Sequence, residues 1–377
     1  MARGRERRAA SEPGARVPAP VTVPAPPPAA TIEDGMSVEV TGRFIIVLKD
    51  QVVADTAAIR TTLNEAAGLK DVPSSADYEG GAIPAEALAE GEAVHIDKLG
   101  IVVVSGEEAV QGLAAAASDA DSPILVIEPE YIAYPSRLPE GGLPLEYLRG
   151  YRDSVNHLYD QLVGRGAAAG EEAALLARLE DTPQFTWGLQ ATRVSTSQHS
   201  GQGVKVAVLD TGLDFQHSDF LGRMIVSQSF VQGVTVQDIH GHGTHCVGTA
   251  CGSQAAAGRR YGVASGAQIF VGKVFNNAQP RPQAPTASVI AGLEWAITNG
   301  CRVASLSLGV PINQKIMQYE VPIRRALNAG TLVVAAAGNN ANRPGLPGFD
   351  PARPSTNGFV EPPANADAAM AVAAAVR

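Results

Sequence analysis

Two kinds of hydrophobic pattern follow one another along the chain. From Thr41, the branched apolar run Arg43-Phe44-Ile45-Ile46-Val47-Leu48-Lys49 has strand length, and Asp55 after it predicts a helix N-cap. Ile59, Leu63 and Ala66 then recur at helical spacing to about Ala67, and Gly68 suits the position that ends a helix. A second unit repeats the pattern: 94–104 reads as one or two strands, and 124–127 as a buried strand. Between them, Ser105-Gly106-Glu107-Glu108 has the spacing of a capping box, opening a helix over 107–117. Together these elements predict a small α+β sandwich with its helices on one face.

Residues 136–185 differ. Leu145, Leu148, Tyr151, Val155, Leu158 and Leu162 lie three or four apart among polar residues, which predicts an amphipathic helix in a linker, with a second helical piece over 171–179. Beyond them, apolar runs at 204–209, 224–230, 268–274, 302–308, 332–337 and 370–376 read as strands. The clearest helices between them span 286–299, stopped at Asn299-Gly300, and about 316–329, ending at Gly330. Strands that are apolar throughout and joined by helices predict a doubly wound α/β fold around a mostly parallel sheet, with reactive groups at the carboxyl ends of its strands.

Composition changes the picture mainly at the N-terminus. The first thirty residues hold five arginines, seven prolines and no aromatic residue, so residues 1–40 are expected to be a disordered arm. With 377 residues, 45% hydrophobic and 18% charged, the chain can bury a sizeable core and is expected to hold two domains. A balance of 29 Lys+Arg against 38 Asp+Glu, net −9, gives a phosphate backbone no general reason to attract it, so nucleic acid is not an expected partner. No apolar run approaches the roughly 20 residues of a membrane span. The three cysteines, Cys246, Cys251 and Cys301, are too few for a disulfide framework and read as reduced thiols.

Three stretches carry candidate chemistry. Val206-Ala207-Val208-Leu209-Asp210-Thr211-Gly212 ends a buried strand on a carboxylate, which fits either a catalytic group or an ordinary Asx turn. Asp238-Ile239-His240-Gly241-His242-Gly243-Thr244-His245-Cys246 concentrates three of the chain's seven histidines. His242 and His245 could share a metal, but no carboxylate or cysteine pair completes a set at zinc spacing. The other reading is a general base, with Gly243 and Gly248 letting a helix approach the sheet and His242, in the first turn, facing Asp210. Val333-Val334-Ala335-Ala336-Ala337-Gly338-Asn339 ends another strand with an amide donor suited to an oxyanion.

These residues carry a resemblance to the subtilisin-like serine proteases, closest in texture to the proteinase K branch. VAVLDTG resembles the family's catalytic-aspartate motif, GHGTHCVGT its catalytic-histidine motif, Ser305-Leu306-Ser307-Leu308-Gly309 the edge of its substrate cleft and AAAGN its oxyanion motif, in the family's order. The resemblance implies that Asp210 orients the base, His242 is the base and Asn339 donates to the oxyanion, while Ser307, Leu308 and Gly309 line the substrate. His245 is then structural, and Cys246 matches a buried thiol beneath the histidine. The region 41–135 resembles the family's inhibitory propeptide, which makes the expected organisation an arm at 1–40, a propeptide at 41–135, a helical linker at 136–185 and a protease domain at 186–377. The implied activity is peptide hydrolysis through an acyl-enzyme, on peptide or protein substrates, with the propeptide as inhibitor; the alternative is a non-catalytic peptide-binding relative.

The sequence also departs from the family. Its nucleophile motif, a Gly-Thr-Ser-Met-Ala-like segment downstream of the asparagine, is absent from residues 1–377, and Ser355, the serine after Asn339, lies in a stretch of loop composition. The chain alone is therefore expected to be inactive, as a fragment whose protease domain is incomplete at its C-terminal side. No cofactor is expected. Asp219 matches a calcium-site carboxylate of the family, but 252–260 offers no Asp, Asn or Glu to join it. A processing site is expected between Pro135 and Trp187. The arm has no apolar segment of the secretory kind, whereas propeptide-bearing relatives are generally exported, so the sequence assigns no compartment.

Overall fold

The computed structural model describes residues 38–136, 180–253, 258–279, 281–339 and 358–373. Most of the expected arm and linker, Ser355 and the last residues of the 370–376 strand lie outside them. The first sheet is built from β1 (Val40–Leu48), β2 (Ala93–Ile96), β3 (Ile101–Val104) and β4 (Ile124–Pro135), antiparallel in the order β4-β1-β3-β2. Helices α1 (Thr56–Ala67) and α3 (Glu107–Ala117) cover one face, with the short α2 (Ala85–Glu90) between β1 and β2 in sequence. Asp55 caps α1 by accepting from the Ala58 N–H, and Gly68 closes it at φ 67°, both as expected. The capping box at Ser105 does not form. Gly106 holds the N-cap position at φ 92° without a side-chain bond, and the Ser105 hydroxyl donates to the Gly91 carbonyl instead.

After the short α4 (Trp187–Ala191), the chain builds β5 (Lys205–Asp210), β6 (Ile225–Ser229), α5 (His242–Cys251), β7 (Gln268–Lys273), β8 (Ala284–Pro285) and α6 (Thr286–Thr298). There follow β9 (Val303–Leu306), β10 (Leu308–Gly309), α7 (Met317–Asn328), β11 (Leu332–Ala336) and β12 (Met370–Val372). The second sheet is parallel, in the order β12-β11-β9-β5-β7-β6. Its strands are apolar on both sides because both faces are covered. Val206 and Val208 pack toward α5 with Val247 and Cys251, whereas Ala207 and Leu209 pack toward α6 with Ile290 and Leu293.

The continuous apolar run in β1 has the same origin. Ile46 and Leu48 face α1 and α3, while Ile45 and Val47 join the core around α6 and α7. Two sheets thus share one pair of helices, giving five layers from α1/α3 through to α5. Neither α6 nor α7 has a side-chain cap of its own. The caps come from β4. Glu130 accepts from the Ala287 N–H at 2.8 Å, and Glu128 accepts from the Met317 and Gln318 N–H groups at 2.9 and 2.8 Å.

Arg325 of α7 returns the contact. It is 9% exposed and donates to the carbonyls of Leu48 and Leu99, each at 2.6 Å, and to Asp50 at 2.8 Å. Arg325→Ala leaves those buried carbonyls without their donor and is expected to cost about 3 kcal/mol of unfolding free energy, read by chemical denaturation. A loss under about 0.5 kcal/mol, the size of an ordinary surface substitution, contradicts this account of the junction.

Candidate active site

Asp210 closes β5 at the carboxyl edge of the parallel sheet and is fully buried. Its Oδ1 accepts from the Thr211 N–H at 2.7 Å and faces His242 Nδ1 at 2.7 Å. His242 is the first residue of α5, reached through Gly241 at φ 90°. The approach depends on Gly243, where a Cβ would come within 2.3 Å of the Gly212 carbonyl oxygen. Gly248, expected to serve the same purpose, faces the Tyr261 ring instead.

Asp238 fixes the loop before the helix. One carboxylate oxygen accepts from the N–H groups of His240 and Gly241, both at 2.9 Å, and from the Thr211 hydroxyl; the other accepts from the N–H and hydroxyl of Thr244. Burial alone raises its pKa, but the hydrogen bonds from Thr244, Gly241 and His240 outweigh that and hold it at about 2. The loop is therefore tied to a carboxylate charged at any working pH.

Burial opposes charge on His242, but the Asp210 charge and hydrogen bond outweigh it and raise the imidazole well above its usual range. Cys246 lies one turn on, its Sγ 3.9 Å from Nδ1, and burial followed by the Asp210 charge raises the thiol. It sits on the Nδ1 side as a neutral group. His245 is exposed and makes no pair with Asp210. Asp210, His242 and Cys246 form the single cluster of metal-ligand type among the described residues, and its carboxylate and imidazole are already bonded to each other.

The other ring nitrogen faces a different part of the chain. The end of β4 leaves the first sheet and runs between β8 and β10, with Ile132 and Ala133 paired to Pro285 and Ala284, and Tyr134 and Pro135 paired to Gly309 and Leu308. Ser136 donates its N–H to the Ser307 carbonyl at 2.8 Å, and its own carbonyl oxygen lies 3.3 Å from His242 Nε2. Such a contact requires a proton on Nε2. With Nδ1–H given to Asp210, the doubly protonated ring is the form that satisfies both neighbours.

Residues 201–377 match the profile of the family described as the Subtilase family. Over that stretch the chain is similar to the subtilases. The alkaline protease of Shouchella clausii is 37% identical over 174 residues, covering 45% of this chain and 43% of that protein. Subtilisin Savinase of Lederbergia lenta is 39% identical over 158 residues (41% and 55%), and thermitase of Thermoactinomyces vulgaris 35% over 151 residues (40% and 52%). The chain spans about half the length of the curated relatives it matches. A solved structure of fervidolysin from Fervidobacterium pennivorans, titled a keratinolytic enzyme related to subtilisin, aligns over 81% of this chain and 41% of its own at 18% identity and a TM-score of 0.47.

Within the matched residues, Asp210 and His242 come together, and Ser307, Leu308 and Gly309 border one extended strand. Asn339 follows β11, three residues past its end and after Gly338 at φ 105°, on the same carboxyl edge as Asp210. Four neighbours were not singled out by sequence: Thr211, Asp238, Lys273 and Ser136. Asp238 stands in the histidine stretch itself, where an acid three residues ahead of Gly241 was the available signal. Asp219, the carboxylate that matches a calcium site of the family, accepts from the Tyr261 hydroxyl at 2.7 Å and from the Ser218 hydroxyl at 3.2 Å. No helix among the described residues is long and apolar enough to cross a membrane.

Proposed function

We propose that this chain is the precursor of a serine endopeptidase of the subtilase type, whose nucleophile lies on a segment outside residues 1–377. The observation that carries the reading is the Ser136 carbonyl facing His242 Nε2 while the strand before it pairs with Leu308 and Gly309. A peptide held this way offers its scissile carbonyl beside the base, with the cleft gripping the residues ahead of it from both sides.

In this mechanism the serine hydroxyl attacks the substrate carbonyl and gives its proton to His242 Nε2, and Asp210 holds the ring by Nδ1–H and stabilises the imidazolium. Asn339 donates to the oxygen on which negative charge develops. His242 then returns the proton to the leaving amine, and water repeats the sequence to release the acid. Residues 41–135 act as the propeptide, their last strand occupying the cleft as a substrate does. The cap given to α6 and α7 by Glu130 and Glu128, and the Arg325 clamp, support a domain that docks on the protease surface.

The register supports one bond as the processing site. Ser136 is the residue whose carbonyl stands at the base, so maturation is expected to cleave Ser136–Arg137. N-terminal sequencing and intact mass of the protein made from its whole coding sequence test this, with Arg137 expected as the first residue after processing. A new N-terminus elsewhere, or an uncut junction, overturns the assignment.

A further inference from the structure

Lys273 ends β7 directly across from Asp210 in the parallel register, at the carboxyl edge of the sheet, and it is 1% exposed. A buried lysine beside a reactive carboxylate requires an account, because burial disfavours its charge and so lowers its pKa, while Asp238 and Asp210 act in the other direction. Its ammonium donates to the Thr211 carbonyl. Thr211 uses every polar group it has at this junction: its N–H donates to Asp210 Oδ1, its hydroxyl donates to Asp238 and accepts from the Gly243 N–H at 2.8 Å, and its carbonyl takes the lysine. Lysine, both aspartates and the start of α5 therefore meet on one residue.

The charges do not balance without it. Asp210 and Asp238 are both buried, and Asp210 Oδ2 has no hydrogen-bond partner among the described residues. We propose that Lys273 is a positioning residue for the Asp210–His242 pair, its buried ammonium fixing Thr211 against Asp210 and offsetting the two carboxylates behind the imidazole. The inference rests on the peptidase reading for its purpose, though its test does not require turnover. The titratable groups facing His242 are Asp210 from β5, His240 from the preceding loop and Cys246 from α5; those facing Lys273 are Asp210 and Asp238. Removing the ammonium leaves the carboxylates to act on His242 alone, which makes the imidazole more basic.

The test is a pH titration of the His242 ring signals by NMR in the 377-residue chain, for the native sequence, Lys273→Met and Lys273→Gln. Methionine matches the lysine stem without charge, and glutamine keeps a donor for Thr211. Both variants are expected to move the His242 midpoint upward by about one pH unit, the size that one charge several ångströms away gives at an effective dielectric constant near 20. Folded variants with an unmoved midpoint overturn the proposal, as does failure of both variants to fold, which would assign Lys273 to the fold alone. A native midpoint that is not raised at all overturns the Asp210–His242 reading as well, so the two failures are distinguishable.

Discussion

Replacing Asp210 by asparagine is expected to lower turnover of a peptide substrate by about four orders of magnitude in the protein that carries its nucleophile. The loss follows from the single contact at 2.7 Å between Asp210 Oδ1 and His242 Nδ1. An amide there can present N–H to the ring, which moves the ring proton to Nε2 and removes the lone pair that takes the serine proton. The same change has a pH signature. Because the folded-state value of His242 is raised, the stability that its pairing contributes is fully present below about pH 6.5 and is lost as pH rises through the raised value. Asp210→Asn removes that pH-dependent part, read from urea unfolding across the range. Activity runs the opposite way, since the base works only when neutral, so turnover rises with pH through the same midpoint. A variant retaining a tenth of native turnover contradicts the role given to Asp210.

Gly243→Ala is expected to separate the pair without touching either member. Its Cβ would meet the Gly212 oxygen at 2.3 Å and the Gly212 nitrogen at 2.9 Å, both backbone atoms that cannot rotate aside. Helix α5 must then retreat from the end of β5, taking His242 with it. We expect a cost of about 3 kcal/mol in urea unfolding, from overpacking a closed contact, and loss of the low-field Nδ1 proton signal of His242. A variant with native stability and an unchanged proton signal would show that the approach does not depend on this glycine.

The same contacts explain what the sequence makes legible. Asp210 and His242 are legible as candidates from local pattern, a carboxylate at the end of an apolar strand and a histidine in the first turn after Gly241, while their separate roles come only with the family resemblance. Strand β4 is readable only as far as Ile127. It runs on to Pro135, and Glu128-Pro129-Glu130 breaks the apolar run because those glutamates cap helices more than 150 residues away. By the same token α6 and α7 begin without a recognisable cap in their own sequence. Ser105 has the spacing of a capping box, but Gly106 takes the cap position with a backbone that a serine side chain does not serve. Lys273 is silent because its partner, the Thr211 carbonyl, lies 62 residues away. Ser136 reads as the first residue of a linker until β10 is beside it.

A serine-directed fluorophosphonate tests the central claim most directly, applied to the protein made from its whole coding sequence and followed by peptide mapping. The account predicts one adduct, on a serine beyond residue 377, absent when His242 is replaced by alanine, and no adduct on the 377-residue chain alone. Labelling of a serine within residues 1–377, such as Ser355, or labelling that survives His242→Ala, contradicts it.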